Sequence, residues 1–197
     1  MVKKNREKMN EKLDELYGVS PYEKDFRNKT IFNEIKIGSP VYGEVTKNGT
    51  NSIVNKFKKY FNSDTVFYDL GSGLSKMVIH IGLVYGVKKS VGIEYSKERH
   101  KGAMYLKDKY APNCDNIEII CGNAIEQDLS EATVVYMDNT VFPDDVTRQI
   151  YEILPPKTLV LYKKSFNFLP KEIKQNKDEN LVERTYNQGK LMWVIKE

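Results

Sequence analysis

The chain is poor in the residues that build metal centres and disulfide frameworks. Its 197 residues include only two cysteines, two histidines and one tryptophan. Cys114 and Cys121 stand seven apart with no histidine near either, so they read as reduced thiols of an intracellular protein and not as a metal site. His80 and His100 are each alone, on segments read as helices away from the strand tips, so neither is expected to act as a base or a ligand. No long hydrophobic run is present. The longest apolar stretch, Met77 to Val87, contains His80 and two glycines and is too short to cross a bilayer, which argues against a membrane partner. The segment Met1 to Glu15 is charged throughout, unlike a secretory signal. Nor is there a strong excess of one charge: 31 basic against 27 acidic side chains give a formal net charge of +4. There are no repeats or low-complexity tracts. With 40% hydrophobic and 29% charged residues, the composition suits a globular domain with a full core.

What is present is a turn. The apolar run Val66-Phe67-Tyr68 leads into Asp69-Leu70-Gly71-Ser72-Gly73. Glycines without a Cβ let a ligand lie against the backbone, and the helix start that follows presents amides. The next apolar run, Ser90-Val91-Gly92-Ile93, ends in Glu94. A carboxylate at that strand tip can accept both hydroxyls of a ribose. Two acids on adjacent strand tips indicate an adenosine-containing cofactor. A pyrophosphate is disfavoured, because Asp69 would repel it and the pattern breaks at Ser75 and Lys76, where a dinucleotide loop carries glycine. A carboxylate suits a cation, such as the α-amino group of S-adenosylmethionine. Asp69 is therefore assigned to the methionine end of that cofactor, Glu94 to the ribose, and Gly71 and Gly73 to close approach. Tyr95, beside Glu94, is expected at the cofactor as well.

Periodicity supplies the frame. Residues 1–17 form a charged helix with Met9, Leu13 and Leu16 on one face, closed by Gly18. A short helix is expected over 29–35 and another over 50–61, with Ile53, Val54 and Phe57 as its apolar stripe. From Thr65 onward strands (65–69, 90–94, 117–121, 132–137, 158–163) alternate with helices (74–85, 97–110, 144–153). Residues 167–180 read as a polar loop with one helical turn. Two segments of strand period, 181–186 and 190–196, are joined by Asn187-Gln188-Gly189 as a hairpin turn. A mostly parallel, doubly wound α/β sheet finished by an antiparallel hairpin is the Rossmann-like layout of class I S-adenosylmethionine-dependent methyltransferases. Residues 1–62 are read as an N-terminal helical segment carrying a loop at 41–46, and 63–197 as the methyltransferase core.

Val41-Tyr42-Gly43-Glu44-Val45-Thr46 precedes Asp69 by about 25 residues, and Tyr136-Met137-Asp138-Asn139-Thr140-Val141-Phe142 follows the fourth strand. With the Asp69–Gly73 turn and Lys164-Ser165-Phe166, this combination resembles the disruptor-of-telomeric-silencing family, the non-SET histone-lysine methyltransferases. The resemblance covers roughly residues 40 to 166. It implies that Tyr42, Glu44 and Thr46 form a lid over the methionine part of the cofactor, Glu44 toward its ammonium and Thr46 toward its carboxylate. It implies that Asn123 and Ala124 lie at the adenine and that Asn139 sits at the reaction centre, its amide oxygen holding the incoming amine. Phe142 and Trp193, with Tyr186, would wall a lysine channel. The chain departs from the family pattern at Ser75, at Asp138 and Thr140 in the asparagine loop, and at Asn123-Ala124, where the family has Asp-Phe.

The implied activity is methyl transfer from S-adenosylmethionine, leaving S-adenosylhomocysteine, to a lysine ε-amino group, foremost on a nucleosomal histone, in a nuclear or chromatin-associated protein. Lys3-Lys4 with Arg6 and Lys8, the Lys56-Lys58-Lys59 face, and Lys163-Lys164 with Lys171 and Lys174 are candidates for non-specific DNA contact. Two alternatives remain: a methyltransferase of the same fold acting on RNA or a small molecule, and a non-catalytic chromatin- or DNA-binding module. The absence of an Asn-Pro-Pro-Tyr or Asp-Pro-Pro-Tyr tetrapeptide argues against a nucleic-acid amino methylase.

Overall fold

The computed structural model of the chain describes residues 2–19, 43–185 and 188–197. The helix expected over 29–35 and the side chains of Tyr42 and Tyr186 lie outside them. Helix α1 spans Val2–Gly18 and α2 spans Lys47–Lys56, followed by a 3-10 turn at Lys58–Tyr60. Strands and helices then alternate: β1 (Val66–Leu70), α3 (Lys76–Val84), β2 (Lys89–Glu94), α4 (Lys97–Tyr110), β3 (Ile117–Cys121), β4 (Val134–Met137), α5 (Asp144–Ile153) and β5 (Leu159–Tyr162). A hairpin of β6 (Asn176–Glu183) and β7 (Gln188–Ile195) completes the described chain.

The seven strands form one sheet in the order β3-β2-β1-β4-β5-β7-β6, parallel through β5 and antiparallel at β7 and β6. The chain winds outward from β1 to β3 and returns to β4, so the order reverses between β1 and β4. A crevice opens at the carboxyl ends of the strands at such a reversal. β1, β4 and β5 are buried along their whole length, which is why they read as apolar runs broken only by Asp69 of β1.

The pleat sorts these strands onto two cores. Phe67, Val134, Tyr136, Leu159 and Leu161 pack with Leu13 and Leu16 of α1, Ile53 and Val54 of α2, and Val78 and Ile81 of α3. Val66, Tyr68, Leu70, Val135, Met137, Val160 and Tyr162 pack on the other face with Ile150 and Tyr151 of α5 and with Phe166. The N-terminal helices thus share a core with the sheet. Tyr17 Oη ties them together, meeting Thr50 Oγ1 at 2.9 Å and His80 Nδ1 at 3.1 Å.

Two sequence expectations are corrected here. α2 begins at Lys47 rather than at 50, because the Thr46 hydroxyl accepts from Gly49 N and caps it. Gly49 is required there, since a Cβ would fall 2.4 Å from Glu183 O of β6. Residues 176–180, read as part of a loop, are strand. They are polar because β6 is the sheet edge, and their hydrogen bonds to β7 supply what local propensity does not. Gln188 and Gly189 already belong to β7 and are not the turn.

Candidate active site

Asp69 sits on the same side of the pleat as Phe67, in register with Gly92 of β2 and Tyr136 of β4. Together with Gly43, Glu44, Val45, Gly71, Ser72, Gly73, Lys76, Met77 and Asp138, Asp69 and Tyr136 line a cleft at the sheet reversal. The turn under it is held by backbone: Gly71 N and Ser72 N both donate to Ile93 O, at 2.8 and 3.1 Å. Gly71 has φ +82°, and a Cβ there would lie 3.2 Å from Phe142 Cζ, so the missing side chain makes room for that ring against the turn. Ser75, which departs from the glycine pattern, still adopts the left-handed conformation a glycine would take, with φ +56°. Its hydroxyl meets Ser72 Oγ at 2.9 Å, a local hydrogen bond that offsets part of the strain. The substitution leaves the turn intact.

The carboxylates are deeply placed. Glu94 is buried and braces the turn, its Oε2 accepting from Gly73 N at 2.7 Å and its Oε1 from Ser96 N at 2.9 Å. Each oxygen retains a lone pair for a ribose hydroxyl. Tyr95 beside it is 54% exposed, an aromatic face open to a ligand at the β2 tip. Asp69 is buried, and its carboxyl is pushed up to about 8, first by burial and then by the charges of Glu94 and Asp138. Glu94 lies within reach of Arg99, and Asp138 lies beside Lys163 and Arg184, so Asp69 is the cleft acid whose ionised form a bound cation would favour.

The loop 43–46, expected to be the lid, is anchored to the edge of the sheet. Thr46 N donates to Glu183 O at 2.9 Å, Thr185 N donates to Glu44 O at 3.0 Å, and Val45 bridges Arg184 in antiparallel fashion. Glu44 Oε2 meets Lys76 Nζ at 2.7 Å in a pair that is almost fully buried, and Lys76 also donates to Val19 O. Lys76 therefore joins α3, the lid and the end of α1. It was not among the sequence candidates, although a lysine opening an otherwise apolar helix was a visible signal.

The remaining candidates divide. Phe142 lies against Gly71 as just described. Asn123 caps the 3-10 turn Ala124–Glu126 just beyond β3, whose register with β2 sets Cys121 beside Glu94. The hydroxyl oxygen of Thr46 caps α2. Asn139 is buried and its carboxamide is fully engaged: Nδ2 donates to Lys164 O at 2.8 Å, and Oδ1 accepts from Lys163 N and Lys164 N at 3.0 and 2.7 Å. With both lone pairs occupied, the amide oxygen brackets the loop after β5. Trp193 stands apart from Asp69 in the sheet. Its register runs Trp193, Leu161, Tyr136, Asp69 across β7, β5, β4 and β1, which places it three strand spacings, roughly 14 Å, from Asp69. Its indole donates to Asp178 Oδ2 and its ring packs edge-on to Phe57.

His80 is fully buried and His100 Nε2 lies 3.3 Å from Ile119 O, so neither histidine belongs to the cleft. Among the described residues no group of side chains is arranged to hold a metal ion, and no helix is long and apolar enough to cross a membrane. Several lysines of the basic clusters are paired within the chain, Lys56 with Asp178 and Lys164 with Asp144.

A sheet of this order with a glycine turn at β1 and an acid at the β2 tip defines a class I methyltransferase fold. Within that class, the model of the family described as histone methylation protein DOT1 matches residues 19–190, and the chain belongs to that family. A protein-lysine N-methyltransferase of Saccharolobus islandicus is 35% identical over 96 residues, which are 49% of this chain and 55% of that protein. The chain thus matches about half the length of this curated relative. Among solved structures, an RNA methyltransferase from Salinibacter ruber in complex with S-adenosyl-L-homocysteine is similar at a TM-score of 0.60 and 26% identity, covering 78% of this chain and 94% of that one. An S-adenosylmethionine-dependent methyltransferase from Methanococcus maripaludis shares the fold at a TM-score of 0.52 and 20% identity, over 76% of this chain and 68% of that one.

Proposed function

We propose that the chain is a protein-lysine N-methyltransferase that uses S-adenosylmethionine, with a nucleosomal histone lysine as the substrate to test first. The observation that carries the reading is the family's lid loop, strand-paired to residues 183–185 beside a cleft that holds Asp69 and Asp138. That cleft fits the cofactor. At the neighbouring β2 tip Glu94 has lone pairs for the ribose and Tyr95 an open ring for the adenine, while in the cleft Asp138 offers negative charge and Asp69 a carboxyl that a sulfonium or an ammonium would ionise. When bound, the cofactor supplies an electrophilic methyl group.

The chain's own residues then bind and orient the amine. A lysine has an ordinary pKa of ~10.4, so about one in a thousand is neutral near pH 7.4, a deficit of about 4 kcal/mol. With both histidines outside the cleft, burial of the amine against apolar walls is what lowers its pKa. The Phe142 ring at Gly71 provides such a wall. Asp138, the most exposed of the cleft carboxylates at 34%, attracts the arriving ammonium, and orientation supplies much of the rate gain.

A second reading, an RNA acceptor, is favoured by the similarity to the Salinibacter ruber enzyme. Radiolabelled S-adenosylmethionine offered with nucleosomes, free histones and total RNA separates the two. Label is expected on protein lysine; label on RNA alone overturns the reading.

A further inference from the structure

Arg184 carries a signal that no sequence motif announced. Its side chain is 2% exposed, yet none of its three guanidinium nitrogens makes a hydrogen bond. Among the described residues the charge paired with it is Asp138, with Oδ2 3.3 Å from Nε but outside hydrogen-bond geometry. Nη1 and Nη2 are unmatched. The hydroxyl of Tyr136, also buried, makes no hydrogen bond of good geometry, although it lies within reach of the guanidinium. The two groups are neighbours, and the Arg184 charge partly offsets the rise that burial imposes on the Tyr136 hydroxyl. An arginine is always ionised, and a buried charge without full pairing is costly. A guanidinium edge and a phenol side by side present several donors and call for a two-oxygen anion.

The location says which anion. Arg184 bridges Val45 of the lid through the backbone and contacts Asp138, and Val45, Tyr136 and Asp138 all line the cleft. It therefore stands at the lid end, whereas Glu94 and Tyr95 mark the ribose and adenine end. An amino-acid group at the lid end brings an ammonium and a carboxylate. Asp69, which lines the cleft, is available for the ammonium. For the carboxylate, Lys76 is already held by Glu44 and Val19 O, and Lys163 sits on the outer side of Asp138 at 3.7 Å, 31% exposed. The Thr46 oxygen caps α2. Among the described residues at this end of the cleft, Arg184 is the cation left with unmatched donors.

We propose that Arg184, assisted by the Tyr136 hydroxyl, is the receptor for the α-carboxylate of S-adenosylmethionine. This deepens the cofactor reading above and rests on it. The pairing also explains the lid's anchorage. The strand bridge at Val45 holds the loop 43–46 to the residue that grips the cofactor.

The test is calorimetric and needs no turnover. S-adenosylmethionine and its decarboxylated analogue are titrated into the wild type, Arg184→Met and Tyr136→Phe, with near-ultraviolet circular dichroism as a fold control. The wild type is expected to prefer the carboxylated ligand by about tenfold or more, the range of one charge-assisted pair. In Arg184→Met that preference collapses to within about twofold, while affinity for the decarboxylated analogue changes little. In Tyr136→Phe, which removes one hydroxyl and leaves the ring, the preference falls by about threefold or more. A folded Arg184→Met that retains the wild-type preference overturns the proposal. Should that variant fail to fold, an unchanged preference in Tyr136→Phe overturns it instead. If the wild type binds neither ligand, the cofactor reading itself fails, an outcome distinct from loss of discrimination alone.

Discussion

Replacing Asp69 by asparagine probes the electrostatics of the cleft directly. Its carboxyl is pushed from an ordinary 3.8 to about 8 by burial, with Glu94 and Asp138 adding to the effect. The folded protein therefore holds this proton more tightly than the unfolded chain does. The stability this contributes is fully present below pH 3.8 and is lost as pH rises toward 8, at about 1.4 kcal/mol per pH unit. His80 acts in the opposite sense. Burial, aided by the Lys47 charge, lowers it from 6.5 to about 4, so its contribution is present above pH 6.5 and lost as pH falls toward 4. Between pH 4 and 6.5 the two slopes oppose each other and the wild type is nearly flat. Between pH 6.5 and 8 Asp69 acts alone, and the wild type is expected to lose about 2 kcal/mol. Asp69→Asn removes that loss and exposes the His80 slope below pH 6.5. Urea denaturation followed by circular dichroism at intervals from pH 4.5 to 8.5 measures both curves. Parallel curves for wild type and Asp69→Asn would refute the reasoning. A cation bound beside Asp69 also favours its ionised form, so cofactor binding at pH 7 is expected to release about one proton in the wild type and none in the variant. Calorimetry in buffers of different ionisation enthalpy reads that number.

Three further outcomes are expected. Ser75→Gly and Ser75→Ala both lose the hydroxyl, so their difference isolates the left-handed backbone, and glycine is expected to be more stable by about 1 kcal/mol in thermal or urea unfolding. Asn139→Ala removes three hydrogen bonds from the loop after β5 and is expected to destabilise the fold by about 2–4 kcal/mol, an effect absent if the amide served only the substrate. Glu44→Ala leaves the Lys76 charge buried without its carboxylate and is expected to cost about 3 kcal/mol, most of it recovered in the Glu44→Ala/Lys76→Met double variant; additive urea midpoints would contradict that coupling.

The sequence by itself determined the alternation of elements, the turn at Asp69–Gly73 and the family, because each is written in contiguous residues. Apolar runs of strand length lay between amphipathic helical segments, and α4 and α5 appeared within the bounds read from periodicity. The acids at two strand tips were legible for the same reason: a strand's end and its terminal side chain are local facts. What only the tertiary structure decided is how distant polar groups pair. β6 is a strand because β7 supplies its hydrogen bonds, not because Asn176-Lys177-Asp178 favours one. Asn139 looked like a ligand-binding asparagine, and its loop turned it into a bracket for Lys163 and Lys164. Lys76 and Arg184 carried no motif. Val182 and Arg184 do share one face of β6 and its continuation, so a charged residue on the buried side was a readable oddity. Its meaning depended on β4, the lid and the hairpin converging on one end of the cleft. Hydrophobic period is a property of neighbours along the chain, whereas charge pairing is a property of neighbours in space.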